Sequence, residues 1–554
     1  MKKILYRFIL SLLIFHFLSL SFTSLAQPLH QKQGFTHADT LRGSITPERA
    51  WWNVTHYDLH VNFDFNKRSI AGYNVISYKI VSAPAKEMQI DLQLGLEIDS
   101  VLYNNESLSF RREENAYFIT VPAAHNEQKI NNVTVYYHGI PRPALRPPWD
   151  GGMIWSKDEK GNPWISVACQ GLGASVWYPC KDHQSDEPDS AALSMTVPDT
   201  LTAIANGRLR SEIKNGDGTA TYTWAVTSPI NNYNITPYIG KYAHWHEDYD
   251  GEKGKLDCDF WVMEYNLEKA KLQFKQVMQM LHCFEHWFGP YPFYEDGYKL
   301  IEAPHLGMEH QSAVAYGNGF ANGYKGTDLS GTGWGLKWDF IIVHESGHEW
   351  FGNNISTKDV ADMWVHEGFT NYSETIFTDC EYGTEAGNDY VIGTRKNIQN
   401  DKPIEGPYGV NQEGSGDMYY KGGNLVHMIR QIINNDSSFR MLLRGMNETF
   451  YHQTVTGKQI EEYISKTSGI DFSKVFDQYV RTIQIPVLEY KVNGNKLSYR
   501  WTDCVRGFNM PLKINFGGEK WISPVEKWKT LKIKKGEKAA FSADRNFYIT
   551  TKQL

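Results

Sequence analysis

The hydrophobic period of this 554-residue chain switches twice, and that switching restricts it to a multidomain α+β architecture. In the first part, apolar and aromatic residues recur at every second position, as in Tyr57, Leu59, Val61, Phe63 and Phe65, and again in Tyr222, Trp224 and Val226. That alternation marks half-buried strands. Near residue 266 the spacing becomes helical, with Ala270, Phe274, Val277, Met278, Leu281 and Phe284 ending at Gly289-Pro290. Further helices are expected over 338–350, 362–379 and 419–434. Beyond Pro486 the period returns to two in Leu488, Tyr490 and Val492, then Leu497, Tyr499 and Trp501, with Asn493-Gly494 read as the hairpin turn between them. The expectation is an N-terminal β-sheet domain over 45–240, a mostly helical domain over 241–486 and a small C-terminal β domain over 487–554. Pro141, Pro143, Pro147 and Pro148 make the stretch they share a loop.

Composition narrows the function classes. Apolar residues make up 41% and charged residues 21%, which suits a chain that folds rather than a disordered one. Formal net charge is −7 and the basic residues are scattered, so no face suited to nucleic acid is expected. Lys2, Lys3 and Arg7 precede an apolar run from Phe8 to Phe22, and Ser24-Leu25-Ala26 supplies small residues for cleavage. Residues 1–26 therefore read as a signal peptide, and the mature protein as periplasmic or secreted. No later apolar run reaches 18 residues, so stable membrane insertion is not expected. Six cysteines, at 169, 180, 258, 283, 380 and 504, show no CxxC spacing. Cys169 with Cys180 reads as either a bridge or a pair of buried free thiols. Oligomeric state is not legible.

The chemistry lies in the middle region. His344-Glu345-Ser346-Gly347-His348 follows Phe340-Ile341-Ile342-Val343, an apolar helical context. Two histidines four apart on a helix are rotated by only about 40 degrees, so both imidazoles reach one ion. Glu345 leaves the helix beside that face and can accept a proton there. Eighteen residues after His348 comes Glu367, at a spacing that lets a second, antiparallel helix supply a carboxylate. Two histidines and one glutamate leave a fourth position open, which is the catalytic zinc arrangement with one Zn2+ per chain.

His344 to His348, then Trp350-Phe351-Gly352-Asn353, then Glu367-Gly368-Phe369, resemble the gluzincin aminopeptidases of the M1 family. That resemblance implies a thermolysin-like catalytic domain flanked by the N-terminal β domain and a small β-sandwich-like C-terminal domain. The family's G-x-M-E-N motif has its counterpart in Leu306-Gly307-Met308-Glu309-His310, with Leu306 in place of the first glycine and His310 in place of asparagine. It implies that Glu309 binds the substrate's free α-amino group while Leu306, Gly307 and Met308 hold the peptide. His366 likewise replaces an asparagine before the third ligand. Tyr419-Tyr420-Lys421-Gly422 matches the tyrosine placed two residues before a Lys-Gly pair, which implies that Tyr419 stabilises the oxyanion. Gln170-Gly171-Leu172-Gly173, followed by Trp177-Tyr178-Pro179-Cys180-Lys181-Asp182, resembles the N-domain segment whose glutamine helps bind the amine; Ser175 departs from it. Family members commonly carry a large helical C-terminal domain, and a cleft open to longer peptides is expected here. The function implied is hydrolysis of the N-terminal peptide bond of peptides with a free amino end. An endopeptidase, an epoxide-acting relative and an inactive peptide-binding homologue stand as alternatives.

Overall fold

The computed structural model describes residues 34–121, 130–534 and 540–554; the leader expected over 1–26 lies outside them. An eight-stranded sheet forms the N-terminal region, in the spatial order Arg208–Lys214, Thr219–Val226, Ser190–Pro198, Trp52–Asp64, Ser69–Ile80, Asn131–Gly139, Leu96–Tyr103 and Glu106–Leu108. Trp52–Asp64 pairs in parallel with Ser190–Pro198, and the other neighbours are antiparallel. The period-two residues Tyr57, Leu59 and Val61 are buried with Ile76, Val133 and Met195 in a single core. Two smaller sheets pack into that core. One of them, Thr202–Ile204, Tyr238–Gly240, Pro163–Ala168 and Gly152–Lys157, leads directly into the segment that carries Gln170.

The middle region opens with strands, which the helical reading of 241–486 does not anticipate. Tyr242–Gly251 and Gly254–Met263 form a hairpin, and a five-stranded sheet continues through Tyr298–Glu302 and Val314–Tyr316 to Gly307–Met308 at its edge. Helices follow. Residues Leu267–Gln273 and Gln276–Phe288 form two helices where one was expected, and the three motif helices run Phe340–Gly347, Trp364–Tyr382 and Tyr420–Ile433. The last region holds a four-stranded and a three-stranded sheet. Its first hairpin turns on Gly494-Asn495, because Asn493 is still paired with Lys496; the turn lies one residue later than Asn493-Gly494. Gly494 takes the positive φ of 57° that the turn demands.

The disulfide joins Cys283 to Cys380, tying helix Gln276–Phe288 to helix Trp364–Tyr382, while Cys169 and Cys180 are buried free thiols. Of the two readings held for that pair, the bridge is wrong. The two are directed to different partners: Cys169 donates to Tyr233 O, whereas Cys180 pairs by its backbone with Asp91. Among the described residues no helix is long and apolar enough to cross a membrane.

Candidate active site

The helix bearing the paired histidines is short and fully buried, and Asp339 caps it by accepting from the N–H groups of Ile341 and Ile342. His348 is its C-cap, one residue past the last helical position Gly347, and Gly352, with φ of 134°, turns the chain away. The helix Trp364–Tyr382 crosses it and brings Glu367 to the same point. His344 Nε2 and His348 Nε2 lie 3.7 and 3.4 Å from Glu367 Oε2. A tetrahedral zinc with bonds near 2.0–2.1 Å requires ligand atoms roughly 3.3–3.4 Å apart, so the three side chains fit that ion. Glu367 Oε2 is buried and has no hydrogen-bond partner, which a cation would satisfy.

The opposite nitrogen of each imidazole is held from behind. His344 Nδ1 lies 2.7 Å from Glu374 Oε1, and Glu374 also accepts from Tyr390 OH (2.6 Å) and Asn371 Nδ2 (3.0 Å). His348 Nδ1 lies 3.0 Å from Phe351 O. Both contacts suit Nδ1 as the donor, which leaves Nε2 of each ring as an acceptor facing Glu367.

Glu345 lies against the sheet's edge strand. A side-chain carbon on Gly307 would fall 2.6 Å from Glu345 Oε1, so the carboxylate lies close against Gly307, and a larger residue there would push it aside. Burial raises its carboxyl to about 7, within the range where a group both takes and gives protons. Glu309 follows this strand and accepts from Gln170 Nε2 (2.5 Å) and Tyr233 OH (3.1 Å). Burial raises its carboxyl too, and His348 opposes that shift. Gln170 Nε2 also reaches Glu367 Oε1 at 3.4 Å. Tyr419 stacks beside His344, with ring centres 6.0 Å apart, and burial together with the Glu367 charge keeps its phenol protonated.

All ten residues singled out from the sequence therefore line one cleft: Gln170, Leu306, Gly307, Met308, Glu309, His344, Glu345, His348, Glu367 and Tyr419. The departures from the motif lie behind it. His310 is fully buried with its Nδ1 2.5 Å from Tyr238 OH, and His366 is fully buried and accepts from Thr357 N–H. Ser175 donates to Asp182. Sequence reasoning missed Tyr233, which a short 3-10 turn delivers to Glu309, and Trp149, by which the proline-rich loop reaches the cleft. It also missed Glu374, although a glutamate two helical turns after Glu367 shares its face.

Sequence profiles for two successive regions account for most of this architecture. The peptidase M1 N-terminal domain matches residues 53–233 and the peptidase family M1 domain matches residues 273–479. The chain belongs to peptidase family M1. Among curated relatives, "Probable aminopeptidase 2" of Sulfurisphaera tokodaii is 22% identical over 500 residues, covering 86% of this chain and 60% of the relative. Aminopeptidase N of Lactococcus lactis is 21% identical, covering 84% and 56%. The chain thus spans less than two thirds of the length of these relatives. Among solved structures, an M1 zinc metallopeptidase from Deinococcus radiodurans superposes with a TM-score of 0.67 at 19% identity, covering 79% of this chain and 95% of that one. That likeness carries the fold: a β-rich N-terminal region, a helical catalytic region and C-terminal strands.

Proposed function

We propose that this M1 peptidase is a zinc aminopeptidase, hydrolysing the first peptide bond of peptides whose amino end is free. One observation carries the reading. A single amide nitrogen, Gln170 Nε2, is within hydrogen-bonding reach of both Glu309 and the ligand carboxylate of Glu367. The anchor for a cation and the centre of reaction are thus about one residue apart along an extended chain, at roughly 3.3–3.6 Å per residue. A buried glutamate that accepts from Gln170 and Tyr233 suits an α-ammonium group, which supplies the missing positive charge and donates three hydrogen bonds. A peptide held there presents its first peptide bond, and no later one, to the ligand triad.

Zinc held by His344, His348 and Glu367 supplies Lewis-acid polarisation of a carbonyl and acidifies water. The chain's own groups do the rest. Glu345 accepts the proton of the attacking water and delivers it to the leaving amine, a role that suits a carboxyl titrating at about 7. Tyr419 donates from its phenol to the oxygen that gains charge. The edge strand Gly307–Met308, paired on one side with Ala315 and Tyr316, offers its other side to an extended substrate. The names of the curated relatives support aminopeptidase over endopeptidase activity. The Cys283–Cys380 disulfide supports an oxidising location, in line with export.

The test is a panel of aminoacyl chromogenic amides, free and N-acetylated, with and without a chelator. Chelator-sensitive cleavage of the free-amine forms alone supports the reading. Equal cleavage of the acetylated forms replaces it with an endopeptidase.

A further inference from the structure

Four glutamates line the cleft, and the chemistry above uses three of them. Glu309 takes the amine, Glu345 moves the proton and Glu367 is a ligand, while Glu413 has no part in any of this although it is buried in the same wall. No lysine or arginine lines the cleft among the described residues.

The segment carrying Glu413 is built rigidly beside the amine end. Asn411 Nδ2 donates to Gly171 O (3.1 Å), next to Gln170. Backbone packs on backbone at three glycines around it. A side-chain carbon on Gly43 would meet Asn411 N at 2.1 Å, one on Gly414 would meet Ile404 O at 2.1 Å, and one on Gly406 would meet Gln412 O at 2.5 Å. Gly406 N–H in turn donates to Ala361 O, and Ser415 N–H to Pro403 O. These contacts place Glu413 between Gln170-Gly171 on one side and Val360, Met363 and Met418 on the other, all facing the cleft.

We propose that Glu413 selects substrates whose first residue is lysine or arginine. This rests on the aminopeptidase reading, because a peptide anchored at Glu309 and Gln170 turns its first side chain toward the wall beside them. Val360, Met363 and Met418 suit the methylene stem of a long cationic side chain, and Glu413 accepts from its charged head. A planar guanidinium can bond both carboxylate oxygens, so arginine is favoured over lysine. An acidic first residue would face Glu413 in a cleft that offers it no basic side chain.

The experiment compares kcat/KM for arginine, lysine, leucine and glutamate amides in the wild type, Glu413→Gln and Glu413→Asp, with calorimetric binding of L-arginine and its neutral analogue L-citrulline alongside. The expected result is a wild-type preference for arginine and lysine, an arginine-to-leucine ratio reduced roughly tenfold or more in Glu413→Gln, mainly through KM, and partial retention in Glu413→Asp. An unchanged ratio overturns the proposal. So does an equal loss on every substrate, which would make Glu413 a second amine anchor. If the wild type turns over no amide, the aminopeptidase reading fails, and binding still decides this one: tighter arginine than citrulline in the wild type but not in Glu413→Gln supports it, and equal affinities overturn it.

Discussion

Gly368 and Gly422 touch backbone to backbone. A side-chain carbon on Gly422 would lie 2.8 Å from Gly368 Cα, and one on Gly368 would lie 3.1 Å from Gly422 Cα. The helix that supplies Glu367 and the helix that begins just after Tyr419 cross at this point, so the contact sets how closely Tyr419, the proposed oxyanion donor, approaches the proposed ligand triad. Gly422→Ala is expected to spread the helices, costing about 1–3 kcal/mol of stability and lowering kcat more than it raises KM. Steady-state kinetics with a thermal melt check it; normal kcat at normal stability would mean that Tyr419 does not depend on this crossing.

In the proposed mechanism, Glu345→Gln and Tyr419→Phe remove proton transfer and oxyanion donation while leaving His344, His348 and Glu367 in the chain. Each is expected to lower kcat by roughly 100-fold or more while leaving zinc content, measured by atomic absorption, near that of the wild type. Zinc loss in either would assign the residue to metal retention instead.

Glu374 acts through His344. Replacing it with glutamine keeps the shape but removes the charge that orients the imidazole and that also receives Tyr390 OH and Asn371 Nδ2. Zinc affinity, measured by competition with a chromogenic chelator, is expected to weaken roughly 10–100-fold. Unchanged affinity would show that the imidazole is oriented by packing alone.

Glu302 provides a pH test away from the cleft. It accepts from Met263 N–H (2.7 Å) and Asn266 Nδ2 (2.8 Å), and burial raises its carboxyl from 4.5 to about 7. The folded value lies above the unfolded one, so this group's favourable contribution is complete below about 4.5 and is lost as pH rises through about 7. At 1.36 kcal/mol per unit, Glu302→Gln should gain on the wild type by about 3 kcal/mol at most between pH 4 and pH 8. Chemical denaturation across that range reads the difference; parallel curves would place the charge in water.

The convergence of the proposed metal ligands was legible because helical geometry converts a spacing of four residues into a shared face, and because Glu367 stands among aromatic residues where an unpaired carboxylate is costly. The β-rich start and end were legible from alternation. The hairpin Tyr242–Gly251 with Gly254–Met263 was not, since its outer face is studded with His244, His246, Asp248 and Asp259, and the next strand follows only after two helices. Tyr233 could not be found by any local pattern, because it reaches Glu309 across 76 residues of chain. Glu413 likewise sits in a loop without periodicity, and only the folded cleft shows what it faces.

The C-terminal strands are not an appendage. Leu488, Leu497, Trp501 and Phe547 belong to the same continuous core as Trp364 and Phe369. Arg395 donates to the carbonyl oxygens of Arg545, Asn546 and Phe547, and Tyr479 OH donates to Tyr548 O. Thr550–Gln553 completes the last sheet beside Val487–Asn493. The two regions are therefore expected to melt as one cooperative unit, and grafting this catalytic region onto another scaffold means carrying its final β layer with it.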